Sequence, residues 1–243
     1  SGEPLQIPSL GAYSAATVKS PGAAIDENDP TFNNFVTLNS YKYSGLISVA
    51  RELIEDAGVD LLGFISTEVG NALGYAVNTG LTVGTGTVQP TGVVTVAGSG
   101  VTGGTGVAGA FTADNIFDLI YSLDGAIRQK NSFGLQMNGK TISAVRKLKD
   151  NYGRYLFDPA LSAEKRDLIG GYQVYENPAM ADVATGAKSV IAGDLASYMV
   201  RSVGGIRLDR SDDFQFGSDL VTFRFTWRVD GNLPQTSHIL SLI

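Results

Sequence analysis

Between Asp60 and Gly80 apolar side chains return at helical spacing, at Leu62, Ile65, Val69, Leu73 and Val77, with Leu61, Ala72 and Ala76 widening the stripe. This pattern predicts one amphipathic helix of roughly 20 residues, about 30 Å long. Asp60 is its expected N-cap and Gly80 its expected stop. Gly63, Gly70 and Gly74 weaken helix propensity, so another part of the molecule is expected to pass close to them. A second helix is predicted after Thr112, with Ile116, Leu119, Ile120, Leu123 and Ile127 on one face. A third, "GKTISAVRKLKD", follows Asn138 and carries Ile142, Val145 and Leu148 on one side. Arg146, Lys147 and Lys149 near its end suit the negative pole of the helix dipole.

Strand-like runs bracket these helices. "PLQIP", "AATV" and "FVTLNSYKY" predict an extended, two-stranded arm over the first 45 residues, with "PGAAIDENDP" near its polar tip. An isolated hairpin is marginal in water, so the arm is expected to lie on another part of the molecule or on a neighbouring subunit. "NYGRYLFDPAL" reads as turn and loop, and the remainder is mostly strand, with "VTFRFTWRV" the clearest alternation. The stretch at 80–109, where Gly alternates with Thr and Val, reads as a connector between two lobes. Helices and strands are mixed rather than strictly alternating, which predicts an α+β fold and not a doubly wound nucleotide fold.

Composition narrows the function classes. A chain of 243 residues with 43% apolar and 17% charged content can bury a large core, as one large or two intimately packed domains. With 18 basic against 24 acidic residues it offers no broad basic groove to nucleic acid or to an anionic membrane. Cysteine is absent, which removes disulfides, thiolate metal sites and thiol nucleophiles together. Neither a membrane span nor a signal peptide is recognised in the sequence.

One stretch matches a chemical motif. "GLQMNGKT", Gly134 to Thr141, fits the pattern of a phosphate-binding loop and raises the reading of a P-loop nucleotidase. Such a loop needs a buried strand before its first Gly, bare amides facing the phosphates and a helix opening at the Lys. Here "AIRQKNSF" precedes Gly134, and Leu135, Gln136 and Met137 read as the strand itself. Asn138 then reads as an N-cap, with Lys140 and Thr141 in the first helical turn. Asp194, at the end of "SVIAGD", could be forced into the role of the accompanying magnesium ligand but reads more simply as a turn residue. The single histidine, His238, would have to carry any His-based metal site or catalytic triad alone, and beside Thr236 and Ser237 it reads as an ordinary strand or tail residue. Asp26, Glu27 and Asp29 lack the spacing of a calcium loop, and "RSDD" at 210–213 reads as a solvated turn. No catalytic site, cofactor or metal is expected.

The order of the parts carries more than any one motif. "GEPLQIPSLGAYSAATV", "PGAAIDENDPTF", "VTLNSYKYSGLISVARELIEDA", the long helix, "GTGTVQPTGV", "LQMNGKTISAVRKLKDNYGRYLF", "GYQVYENPAM" and "AGDLASYMV" follow one another in a series that resembles the HK97-like major capsid proteins of tailed double-stranded DNA bacteriophages. The resemblance covers nearly all of the chain. It implies an E-loop arm at 1–45, a P-domain at 46–91 and 197–243 with the spine helix at 60–80, and an A-domain at 92–196. It implies assembly of identical subunits into hexamers and pentamers that tile an icosahedral shell around double-stranded DNA, with portal and decoration proteins as further partners. An encapsulin-type compartment or a gene-transfer-agent shell of the same fold is the nearest alternative, and a monomeric Gly-rich binding module a more distant one. Some family members join subunits through a Lys–Asn bond assisted by Glu. Asp219 and Thr226 stand where Asn and Glu would be needed, and the Lys position falls near Ala24 or Ile25, so that cross-link is not expected. The chain also begins almost at the E-loop, where relatives usually carry an N-terminal arm. The expected intersubunit contact joins the acidic tip at Asp26, Glu27 and Asp29 to basic residues such as Arg146 or Arg154 of a neighbour.

Overall fold

The computed structural model describes residues 2–12, 18–24, 31–56, 61–102, 112–149, 152–154 and 168–243. In chain order its first elements are β1 (Leu5–Ala12), β2 (Thr31–Leu38), β3 (Tyr41–Ala50), α1 (Arg51–Asp56), α2 (Leu61–Val83), α3 (Val93–Val96) and β4 (Gly98–Val101). Next come α4 (Ala113–Tyr121), α5 (Gly125–Arg128), β5 (Phe133–Met137), α6 (Gly139–Arg146), β6 (Leu168–Ile169) and β7 (Tyr172–Glu176). The chain closes with β8 (Val190–Asp194), β9 (Met199–Gln215), β10 (Leu220–Asn232) and β11 (Ile239–Leu242). Contacts divide it into two units, one of residues 1–4, 39–95 and 200–231, the other of residues 5–38, 96–199 and 232–243.

The first unit is a three-stranded sheet, in the order β3-β10-β9, with the long helix α2 on one face. Alternation does the work here. Odd-numbered residues of β3 and β10 (Tyr43, Ile47, Val49, Val221, Phe223, Phe225 and Trp227) pack against Ile65, Val69 and Leu73 of α2. The predicted helix is present, but Gly80 does not stop it, since α2 continues to Val83. Close passage is also not found at two of the three glycines where the sequence suggested it. A side chain at Gly70 or Gly74 would meet open space, whereas a Cβ at Gly80 would lie 2.0 Å from the Tyr43 hydroxyl. Gly80 is therefore a packing residue of the helix interior. The proposed cap Asp60 lies outside the described residues.

The second unit is built on a mixed six-stranded sheet in the order β4-β11-β8-β5-β7-β6. β5 runs parallel to β7 and antiparallel to β8, so the central strands are neither uniformly parallel nor uniformly antiparallel. All five residues of β8 are buried, as befits a strand covered on both faces. One face packs Leu135, Met137, Val190 and Ala192 against Ile116, Leu119 and Ile120 of α4 and Ile142 and Val145 of α6. Thr112 caps α4 in a reciprocal arrangement with Asn115, as its sequence position predicts. The apolar stripe continues past Tyr121, but Asp124 caps a separate short helix, α5, that carries Ile127. The arm is real as a two-stranded antiparallel sheet: β1 and β2 pair from Leu5↔Leu38 to Ala12↔Thr31. The stretch at 80–102 holds the end of α2, a Thr85–Thr91 bridge, α3 and β4, and the passage from one unit to the other falls within it.

Candidate functional site

The octet from Gly134 to Thr141 occupies a strand, a cap and a helical turn rather than a loop. Gly134 is the second residue of β5, and Leu135, Gln136 and Met137 continue the strand. Both motif glycines answer to packing from β7. A Cβ at Gly134 would stand 2.8 Å from the Tyr175 ring, and one at Gly139 would stand 2.4 Å from Glu176 Oε1. Asn138 caps α6 by accepting from the Thr141 amide at 2.7 Å, while its own amide donates to Asp182 at 2.6 Å. Lys140 donates to the same Asp182 carboxylate at 2.7 Å. That hydrogen bond raises the Lys140 pKa and lowers that of Asp182. The hydroxyl of Thr141, which would face a metal in a nucleotide site, is buried and unpartnered. The Glu176 carboxylate thus stands beside Gly139, and Asp182 already occupies the Lys140 ammonium that a phosphate would need. The octet is a structural junction.

Asp194, read from sequence as a turn residue, closes a polar knot at the end of β8. Its carboxylate accepts from Lys130 at 2.7 Å, from Ser132 at 2.5 Å and from Ser197 at 2.7 Å. Burial pushes the Asp194 pKa up, but these three hydrogen bonds outweigh it and bring it down to about 2. His238 joins through its Nδ1, 2.9 Å from the Ser197 hydroxyl. Burial and the Lys130 charge hold the His238 pKa below its ordinary value, against the opposing pull of Asp194. The serine lies between histidine and aspartate here, whereas a hydrolytic triad needs the histidine between the other two. His238 sits in a short turn just before β11. No sequence pattern could have joined it to Ser197, 41 residues earlier.

The predicted contact residues divide. Asp26, Glu27 and Asp29 lie outside the described residues. Arg146, in the last turn of α6, is exposed, and Arg154 lies over the Tyr152 ring at 5.6 Å. Asp219 holds a left-handed turn conformation, φ 49°, between β9 and β10 and ion-pairs with Arg51 at 3.2 Å. Thr226 lies on β10 opposite Ser44. Arg210 pairs with Asp212 at 2.9 Å within an exposed strand, so "RSDD" lies in β9 rather than in a turn. Among the described residues no cluster of three metal-ligating side chains forms, and no helix is long and apolar enough to cross a membrane.

The family model described as "Phage capsid family" matches residues 1–241. The chain belongs to the phage capsid family. Solved capsids share its fold over almost its whole length. The capsid of a native GTA particle aligns with a TM-score of 0.85 at 24% identity, covering 98% of this chain and 84% of that one. A structure titled for Microbacterium phage Oxtober96 gives 0.73 at 17% identity, covering 100% of this chain and 86% of that one. One titled for Mycobacterium phage Adephagia gives 0.72 at 15% identity, covering 98% and 84%. No curated protein sequence matches the chain. The α+β capsid fold is therefore the fold of this molecule, and the capsid family makes it a structural shell protein and virion component.

Proposed function

We propose that this protein is the wall subunit of an icosahedral particle: copies associate into hexamers and pentamers, and the closed shell encloses double-stranded DNA without reading its sequence. The observation that carries this is the coverage of the capsid likeness, 98% of the chain at a TM-score of 0.85. The two-stranded sheet of β1 and β2 supports it, because such a hairpin gains stability when it is laid on another surface. In this reading β1 and β2 carry the E-loop expected at 1–45, the P-domain expected at 46–91 and 197–243 holds α2, and the A-domain expected at 92–196 holds β5 and α6. The net charge of −6 suits a wall that must not hold its contents tightly. Portal and decoration proteins are the further partners of such a wall, and the host cytoplasm is where it assembles.

Electron microscopy of the expressed protein tests the proposal, with rings or closed shells expected. Particles absent at every salt and protein concentration would overturn it. A gene-transfer-agent shell is the second reading, supported by the 0.85 TM-score to the capsid of a native GTA particle. Sequencing DNA from purified particles separates the two: one repeated genome indicates a phage, and scattered host fragments indicate a gene-transfer agent.

A further inference from the structure

β2 ends at Leu38 and β3 begins at Tyr41, so Asn39 and Ser40 join the arm to the next strand. The ladder between β3 and β10 stops at Tyr41↔Val229 and does not reach Asn39. Two side chains hold that residue instead. Asp230, the residue after Val229, accepts from the Asn39 amide through Oδ2 at 2.5 Å. Arg201 on β9 donates through Nη1 to the Asn39 carbonyl at 3.4 Å. The amide and the carbonyl of one residue are thus gripped by side chains of opposite charge.

Asp230 is 3% exposed, where an ionised carboxyl is costly unless it is well bonded. Its other oxygen, Oδ1, accepts from the Gly231 amide at 2.7 Å. Two amides therefore use two carboxylate oxygens. A protonated carboxyl turns one of those acceptors into a donor, so it serves only one amide well. Gly231 follows Asp230 directly and its carbonyl accepts from the Thr91 amide at 3.1 Å, so the bond that can open is the one to Asn39. The charged and titratable groups that act on this carboxyl or feel it are Arg201 on β9 and the buried, unpartnered Tyr43 hydroxyl on β3. The stretch 80–95, which supplies Gly80 and Thr91, has no titratable side chain. Burial raises the Asp230 pKa above the ordinary 3.8, against the pull of the two amides and Arg201. A carboxyl whose pKa rises on folding takes up its proton more readily in the fold than in the unfolded chain, so protonation here does not unfold the protein. Asp194, with its pKa lowered to about 2, stays ionised in the same range.

We propose that Asp230 and Arg201 form a charge-operated clamp on the root of the arm: ionised Asp230 fixes the backbone at Asn39, and its protonation lets β1 and β2 pivot there while β3, β10 and β9 stay folded. The clamp is a property of the single chain, so it stands or falls independently of shell assembly.

Hydrogen exchange by NMR on the unassembled full-length protein tests it, comparing the Asn39 amide with the ladder amides of β10 from about pH 9 to about pH 4. Protection of Asn39 should fall in one step by roughly tenfold to a hundredfold, the size of one lost hydrogen bond to a charged group, while the β10 amides keep theirs. Asp230→Asn keeps the shape of the side chain but cannot titrate, and should show no step. Arg201→Gln should move the step to higher pH, because the carboxylate loses the cation that favours its ionised form. The chain has no cysteine, so spin labels at Gln6→Cys on β1 and Asn71→Cys on α2, both exposed positions, report the arm alone; their distance distribution should widen across the same step. Constant protection of Asn39 over the titration, a step that survives in Asp230→Asn, or an unchanged distance distribution would each overturn the clamp. Should Asp230→Asn not fold, the Asp230 carboxyl carbon of the wild type must titrate at the midpoint of the Asn39 step, and separate midpoints would overturn it as well.

Discussion

Gly80 shows how one atom can decide a helix position. The Tyr43 hydroxyl is buried, unpartnered and 2.0 Å from where a Cβ at Gly80 would stand, while the ring carbon behind it is 3.2 Å away. Gly80→Ala should therefore cost about 2–3 kcal/mol by overpacking, despite alanine's better helix propensity. Tyr43→Phe removes both the clash and an unsatisfied hydroxyl, so it should be neutral or stabilising, and Gly80→Ala in that background should lose most of its cost. Chemical denaturation of the four proteins of this cycle checks it, and additive effects would contradict the contact. Asp194 carries the acid response. Its pKa falls from the ordinary 3.8 to about 2 on folding, so its contribution is complete above pH 3.8 and disappears as pH falls through about 2. That contribution is about 2 kcal/mol, and Asp194→Asn should lose it and flatten the stability profile between about pH 4 and 2. His238 acts in the opposite sense for its charge type: its lowered pKa means that protonation favours the unfolded chain, so stability should decline as pH drops below 6.5.

At the scale of elements, α6 and β5 explain why a sequence motif can be met by accident. The pattern constrains only Gly, Gly, Lys and Thr, and each has a separate structural reason here: the Tyr175 ring, the Glu176 carboxylate, the Asp182 ion pair and the core. Asn138→Ala should cost about 1–2 kcal/mol through loss of the cap, with more if Asp182 then points at an empty site. Thr141→Val should leave stability unchanged or raise it by about 1 kcal/mol, because the hydroxyl has no partner. Equilibrium unfolding checks both, and titration with ATP and magnesium should show no binding to the wild type or to Lys140→Ala. Micromolar affinity lost in the mutant would reverse this account. The helices were legible by their 3.6-residue apolar stripes, and α4 and α6 also by a capping side chain, Thr112 and Asn138, at the start. Their ends were less so. α2 runs three residues past Gly80, and the third helix ends at Arg146 rather than continuing through Lys149, since termini depend on what the next turn packs against.

For the whole molecule, the decisive property is association, and charge reversal tests it without disturbing the core. Asp26→Lys with Glu27→Lys should leave the subunit folded and reduce shell yield, measured by sedimentation and micrographs; normal shells would remove the acidic segment from the interface. By itself the sequence determined the α+β class, the long helix, the paired arm, the strand of "VTFRFTWRV" and the order of parts that marks a capsid. The elements follow from local periodicity, caps and turn residues, which act over a few positions, whereas the capsid reading comes from the resemblance of their order to a known family. Only the tertiary structure decided which glycines are packed, that Asp194 gathers Lys130, Ser132 and Ser197, and that Lys42 faces Arg228 across a strand pair. The physical reason is separation along the chain. Lys42 and Arg228 are brought together by the register of one sheet, as are His238 and Ser197 by the packing of one turn, and no local rule of propensity encodes a meeting over such distances.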